Sequence, residues 1–97
     1  MINKKQKQYL KGLANPLSPA VIIGKEGLTD NIFEAIDEYL TSHELLKVSV
    51  LKSCEQPKEE IILDVQSHTH CELISSLGHR FVVYRRNHKQ PVIELPR

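Results

Sequence analysis

The sequence predicts an α/β domain of the mixed, α+β kind, with three amphipathic helices packed on a four-stranded sheet. Three observations lead there. Apolar residues recur at helical spacing in three separate segments, and the runs Ala20–Ile23, Leu45–Lys52 and Arg80–Arg85 are short and rich in strand-forming residues. The two kinds of segment alternate with no linker, repeat or low-complexity stretch between them. A chain of 97 residues is long enough for one core and too short for two, so residues 1–97 read as a single domain.

Taken in order, Ile2, Gln6, Tyr9, Leu10, Leu13 and Leu17 lie on one face of a first helix over about residues 3–14, with lysines on most of the other face. Asn15-Pro16 ends it, because the residue before a proline is pushed out of the helical region. Ala20-Val21-Ile22-Ile23 is continuously apolar, as in a strand buried on both faces. It runs straight into Gly24-Lys25-Glu26-Gly27. Thr29 suits the N-cap of the next helix, and Leu28 can pack on Phe33 as a hydrophobic staple. Ile32, Phe33, Ala35, Ile36, Tyr39 and Leu40 form that helix's apolar stripe, with Asp30, Glu34, Asp37 and Glu38 outside it.

Leu45–Lys52 alternates partly at period two and predicts a second strand. Pro57 suits the first turn of a third helix, whose core face is Ile61, Ile62 and Val65. Cys71–Leu77 is compatible with helix or strand, but Gly78-His79 followed by Arg80–Arg85 favours a hairpin and therefore a strand. Whether Pro91–Leu95 adds a further strand is left open by the pattern.

With 40% hydrophobic and 26% charged residues, the chain has the composition of a soluble globular protein. Nothing after Lys4, Lys5 and Lys7 resembles the apolar run of a secretory signal, and no stretch approaches a membrane span. A cytoplasmic protein is expected, with Cys54 and Cys71 as reduced thiols.

The net charge of +1 conceals a strong segregation. Lys4, Lys5, Lys7, Lys11 and Lys25 precede any acid; Glu26, Asp30, Glu34, Asp37, Glu38 and Glu44 follow with no Lys or Arg among them. Positive charge returns with Arg80, Arg85, Arg86, Lys89 and Arg97 against Glu94. Two readings fit. Folding could bring the basic ends beside the glycine loop and create a polyanion-binding face, or the charges could simply solvate helix surfaces.

The strand-to-helix loop Gly24–Gly27 is the principal candidate site. Glycine lets the main chain approach a ligand, and a helix start offers unpaired N–H groups and the positive end of its dipole to a phosphate. Lys25 adds a mobile cation. The same glycines also fit a tight turn with no ligand. The loop lacks the longer spacing of a nucleotide-hydrolysing P-loop. His68, His70, Cys71 and Cys54 lack paired zinc-ligand spacing, no Cys–His arrangement singles out a nucleophile, and Asp37, Glu38, Glu59 and Glu60 are ordinary helix acids. No metal, cofactor or catalytic residue is expected. Tyr84 could stack on a base or belong to the core.

Four segments together carry a family resemblance: Lys5-Gln6-Lys7-Gln8-Tyr9-Leu10-Lys11-Gly12-Leu13-Ala14, Gly24-Lys25-Glu26-Gly27-Leu28-Thr29, His43-Glu44-Leu45-Leu46-Lys47-Val48 and Leu77-Gly78-His79-Arg80-Phe81-Val82-Val83-Tyr84-Arg85-Arg86. In this order and spacing the chain resembles, over essentially its whole length, a YhbY-type protein. Such a protein is a stand-alone CRM domain, the module named for chloroplast RNA splicing and ribosome maturation. The resemblance implies a fold similar to the C-terminal domain of translation initiation factor three, RNA binding without catalysis, and association with precursors of the large ribosomal subunit. The family's Gly-x-x-Gly loop maps onto Gly24, Lys25, Glu26 and Gly27, leading into Leu28 and Thr29. It is comparable with the KH loop only locally, since a KH loop joins two helices. Glu26, in the loop's variable part, makes the backbone the expected phosphate ligand. Lys4, Lys5, Lys7 and Lys11 of the first helix, with Arg80, Arg85, Arg86 and Lys89, are expected to track the flanking RNA backbone. A reading from another class is a protein-interaction adaptor that offers the acidic second helix to a basic partner.

Overall fold

The computed structural model describes residues 2–97, and it has the seven elements in the predicted order. Helix α1 spans Lys4–Ala14, strand β1 Val21–Ile23, helix α2 Asp30–His43 and strand β2 Leu45–Val50. Helix α3 spans Lys58–Thr69, and strands β3 (Glu72–Leu77) and β4 (Arg80–Tyr84) form a hairpin. The sheet order is β1-β2-β4-β3, with β1 parallel to β2 and the other pairs antiparallel. The mixed four-stranded sheet is thus as predicted, and Cys71–Leu77 resolves to strand.

Local chemistry explains the helix starts. Asn3 caps α1 in a reciprocal capping box: its side chain accepts from the Gln6 amide at 2.8 Å, and the Gln6 side chain accepts from the Asn3 amide at 3.0 Å. Thr29 Oγ1 caps α2 by accepting from the Ile32 amide at 3.2 Å. Pro57 sits one residue earlier than expected, as the N-cap of α3 with an extended ψ of 144°. There too its missing N–H costs nothing.

The sheet separates two cores. On one face α2 and α3 cover Val21, Ile23, Leu46, Val48, Val50, Phe81 and Val83, using Ile36, Leu40, Ile61, Ile62 and Val65. On the other, Leu10 and Ala14 of α1 pack on Leu45, Ile74, Val82 and Tyr84. β4 is therefore buried on both faces, which accounts for its unbroken apolar run. Tyr84 belongs to this second core, so its ring offers no stacking surface.

Residues 91–95 add no strand. They form an extended strap held by Glu44, which is fully buried. Its carboxylate accepts the amides of Asn87 at 2.6 Å, Val92 at 2.7 Å and Ile93 at 2.6 Å. The strap lays Ile93 and Leu95 on the second core, and it is fastened to α1 where Gln6 donates to the Pro96 carbonyl. Glu44 also holds φ at +67°, a region that costs a non-glycine residue about 1–3 kcal/mol. The three charge-assisted hydrogen bonds, each worth about 1.5–3 kcal/mol, outweigh that strain.

Two predictions follow from this packing. Glu44→Ala leaves three buried amides without an acceptor and should lower stability by about 3 kcal/mol or more in urea unfolding. Glu44→Gly, which relieves the backbone strain, should recover at most about 1 kcal/mol of it. The second concerns alkaline pH. Burial raises the pKa of the Cys71 thiol above its ordinary 9.0, and burial together with the Glu44 carboxylate raises that of Tyr84 above 10.0. Because the folded state holds these protons longer than the unfolded chain, stability is fully present below pH 9.0 and falls as pH rises through 9 and 10. Cys71→Ala should flatten the first part of that decline in pH-dependent thermal melts.

Candidate nucleic-acid interface

Parallel pairing places the Gly24–Gly27 loop at the carboxyl end of β1, where α/β folds generally receive ligands. The Gly27 amide donates to the Gly24 carbonyl at 3.0 Å, closing a four-residue turn. Gly27 has φ +68°, which only glycine adopts without strain, whereas Lys25 and Glu26 remain at negative φ. The underside of the loop rests on the connection between β2 and α3. A Cβ at Gly24 would meet Leu51 Cδ1 at 3.7 Å and one at Gly27 would meet Gln56 Oε1 at 3.4 Å. The Gln56 amide is itself fixed by donating to Asp64 Oδ2 at 2.9 Å.

Above the loop the surface is open. Lys25 and Glu26 are exposed and make no hydrogen bond or ion pair with the described residues, so neither ties the loop down. Leu28 and Phe33 are half-buried against the same core, which sets the angle at which the chain enters α2. The Thr29 cap satisfies the Ile32 amide and leaves the amides of Asp30 and Asn31 as free donors of the first turn. A hollow of about 320 Å³ lies over Gly24–Gly27, Thr29, Asn31 and Ile32. Glu26 and the exposed Asp30 oppose an anion there, so backbone donors rather than net charge make the loop phosphate-compatible.

The sheet register extends this surface. Ile22, Ser49, Arg80 and Leu77 pair in one row across all four strands. The row lies on the face that α1 only partly covers, so Ile22 is 55% and Leu77 84% exposed. Beside it Lys11, Lys47 and Arg80 line a groove of about 300 Å³ walled by Ala14, Leu77 and Val82. Lys47, whose amine donates to the Asn15 carbonyl at 3.4 Å, was not among the sequence-derived candidates. Its signal was its place on the face of β2 opposite the apolar Leu46, Val48 and Val50.

The remaining basic residues lie elsewhere. β4 runs antiparallel to β2, so Arg85 and Arg86 leave the sheet beside the C-terminus of α2. That is about 21 Å from the loop, the length of a 14-residue helix. Arg85 is fully engaged. Its Nη1 donates to Asp37 Oδ1 at 2.6 Å and the Thr69 carbonyl at 2.8 Å; its Nη2 donates to the Asp37 carbonyl and Thr41 Oγ1, both at 2.9 Å. It fastens α2 and the end of α3 to β4, with Asp37 as its ion-pair partner. Lys5 donates to the Arg97 carbonyl at 3.2 Å, while Lys4, Arg86 and Lys89 are exposed and Lys7 is half-buried. The basic ends therefore do not converge on the loop: Lys11 and Arg80 approach its end of the molecule, and the others mark the opposite end.

Among the described residues, no group of three or more His, Cys, Asp and Glu side chains is placed to hold a metal ion. His68 instead stacks on Phe33 with ring centroids 4.0 Å apart, and Cys71 accepts from the Thr69 hydroxyl at 3.2 Å in the core.

Residues 2–85 match the CRS1/YhbY (CRM) domain model. The chain is 35% identical over 96 residues to "Probable RNA-binding protein YqeI" of Bacillus subtilis, covering 99% of this chain and all of that one. It is 38% identical over 96 residues to a protein of Haemophilus influenzae named "RNA-binding protein", covering 99% and 96% of the two chains. The solution structure of the hypothetical protein SAV1595 from Staphylococcus aureus superposes with a TM-score of 0.80 at 38% identity, covering 99% of this chain and all of that one. With the helix–strand order, the Gly24–Gly27 loop and the match over nearly its whole length, the chain belongs to the CRS1/YhbY (CRM) domain family.

Proposed function

We propose that this protein is a non-catalytic RNA-binding protein of the cytoplasm that associates with ribosomal RNA in precursors of the large ribosomal subunit. The observation that carries this reading is the loop itself: a glycine turn with Gly27 at positive φ, backed by Leu51 and Gln56 and opening onto the capped start of α2. The RNA-binding names of the relatives support it. In this reading a backbone phosphate sits against the main-chain donors of Gly24–Gly27 and the first turn of α2, and Lys25 swings over it. The strand then passes the edge of β1 onto the groove of Lys11, Lys47 and Arg80, where the cations neutralise further phosphates. The apolar Ile22 and Leu77 beside the groove suit sugar and base faces without reading sequence, so recognition is of backbone and shape.

Two outcomes are expected. Replacing Gly24 and Gly27 by Asp strains the positive-φ position, presses the new side chains against Leu51 and Gln56 and adds two negative charges to the loop, and should weaken binding to ribosomal RNA at least tenfold, about 1.4 kcal/mol, in filter binding at fixed salt. Circular dichroism should show the fold retained, and undiminished affinity in that folded variant would eliminate the loop as the contact. An adaptor acting through the exposed acids of α2 would leave its basic partner bound in the same variant. Secondly, with about four cations engaged, log K should fall against log salt with a slope of about −3 for single-stranded RNA. Lys47→Gln and Arg80→Gln should each make the slope shallower by about 0.7. Arg85→Gln should leave the slope unchanged and lower the melting temperature instead.

A further inference from the structure

At the end of the molecule away from the glycine loop, α1, the connection between α3 and β3, the end of β4 and the C-terminal strap enclose a hollow of about 470 Å³. Tyr84 is one of the residues that line it. This residue is 3% exposed, and its hydroxyl oxygen is buried with no hydrogen-bond partner among the described residues. A buried hydroxyl left unpaired costs about 1–3 kcal/mol, so a site that keeps one is built to be completed by a ligand or solvent.

The other groups around this hydroxyl define the ligand. Arg85 and Gln6 are already committed to Asp37, Thr69, Thr41 and the strap. What remains on the wall is the exposed Arg86 with His70 and His88, none of them hydrogen-bonded through its side chain to the described residues. A phenol, a guanidinium and two imidazoles are all able to donate, which is the donor set of an anion site. His70 is fixed there by its left-handed backbone, φ +55°, at the C-cap of α3. Two carboxylates oppose an anion here: the buried Glu44, whose charge reaches Tyr84, and Glu72, whose carboxylate accepts from the Ile2 amide at 3.4 Å. Ile2 and Leu95 give the hollow an apolar side and more room than a bare phosphate needs.

We propose that this hollow is a second anion site, which takes a nucleotide phosphate against the Tyr84 hydroxyl and Arg86, with His70 and His88 as further donors. The phosphate belongs either to bound RNA or to a free nucleotide. Burial and the nearby Glu44 carboxylate keep the phenol protonated well past neutral pH, so it acts as a donor. The site does not depend on the Gly24–Gly27 loop, which lies about 20 Å away along α2.

The test follows backbone amide shifts of the full-length, isotopically labelled protein during titration with inorganic phosphate, uridine 5′-monophosphate and uridine. The two phosphate-bearing probes should shift the amides of His70, Glu72, Arg86 and His88 saturably, and uridine should not. Inorganic phosphate matching the nucleotide would identify free phosphate as a sufficient ligand, whereas a preference for the nucleotide would identify the sugar-linked phosphate; either ranking sustains the site. Tyr84→Phe keeps the ring in the core and should weaken binding at least threefold. The Asp variants of Gly24 and Gly27 should leave these shifts intact, which separates this site from the loop. Absence of saturable shifts, equal response to uridine, or unchanged affinity in Tyr84→Phe would overturn the proposal.

Discussion

The buried carboxylate of Glu44 is the constraint on which the arrangement of this protein depends. It stands at the junction of α2 and β2. Its amide closes the last turn of α2 on the Leu40 carbonyl, its carbonyl receives the Arg85 amide at the end of β4, and its side chain gathers three amides of the strap. One residue thereby joins a helix end, two strands and the C-terminal segment, at the cost of a strained φ and a buried charge. A charge so placed is tolerated because backbone N–H groups replace its hydration. The consequence is that the basic C-terminal stretch is folded back across the second core instead of reaching the glycine loop.

That fold-back divides the molecule electrostatically. At the loop end the main chain is exposed, Lys25 is free, and Lys11, Lys47 and Arg80 border the open part of the sheet. At the other end Arg85 has become a fastening between helices and sheet. Its ion pair with the exposed Asp37 contributes little alone, since exposed pairs are worth about 0–1 kcal/mol. Its value lies in satisfying the carbonyl of Thr69, the last residue of α3, which the helix geometry leaves in need of a donor.

Much of the fold was legible because it rests on local signals. The apolar spacing of Ile32–Leu40, the Thr29 cap, the continuous apolar run of β4 and the Gly78-His79 turn each act within a few residues, and periodicity reports them. The same holds for the geometry of the loop, where a strand, two glycines and a cap succeed one another in sequence. What periodicity does not carry is the partner of a charged side chain distant in sequence. Arg85 and Asp37 are separated by 48 residues, as are Glu44 and Val92, so neither the fastening nor the strap leaves a pattern along the chain. Lys47 was missed for the converse reason: the groove that gives it meaning is made by α1 and β4 meeting beside it, and a lysine in a strand looks like ordinary solvent-facing alternation. Gln56 likewise supports the loop from a segment with no regular structure of its own.

The proposed path of the RNA runs along the loop end and the open sheet face. Ultraviolet crosslinking of the unaltered protein to ribosomal RNA, followed by mass spectrometry of the crosslinked peptides, tests it directly. The account predicts crosslinks concentrated in residues 22–31, 47–49 and 77–82. Crosslinks confined to the surface of α2 between residues 34 and 43, with the loop and the groove unlabelled, would contradict it.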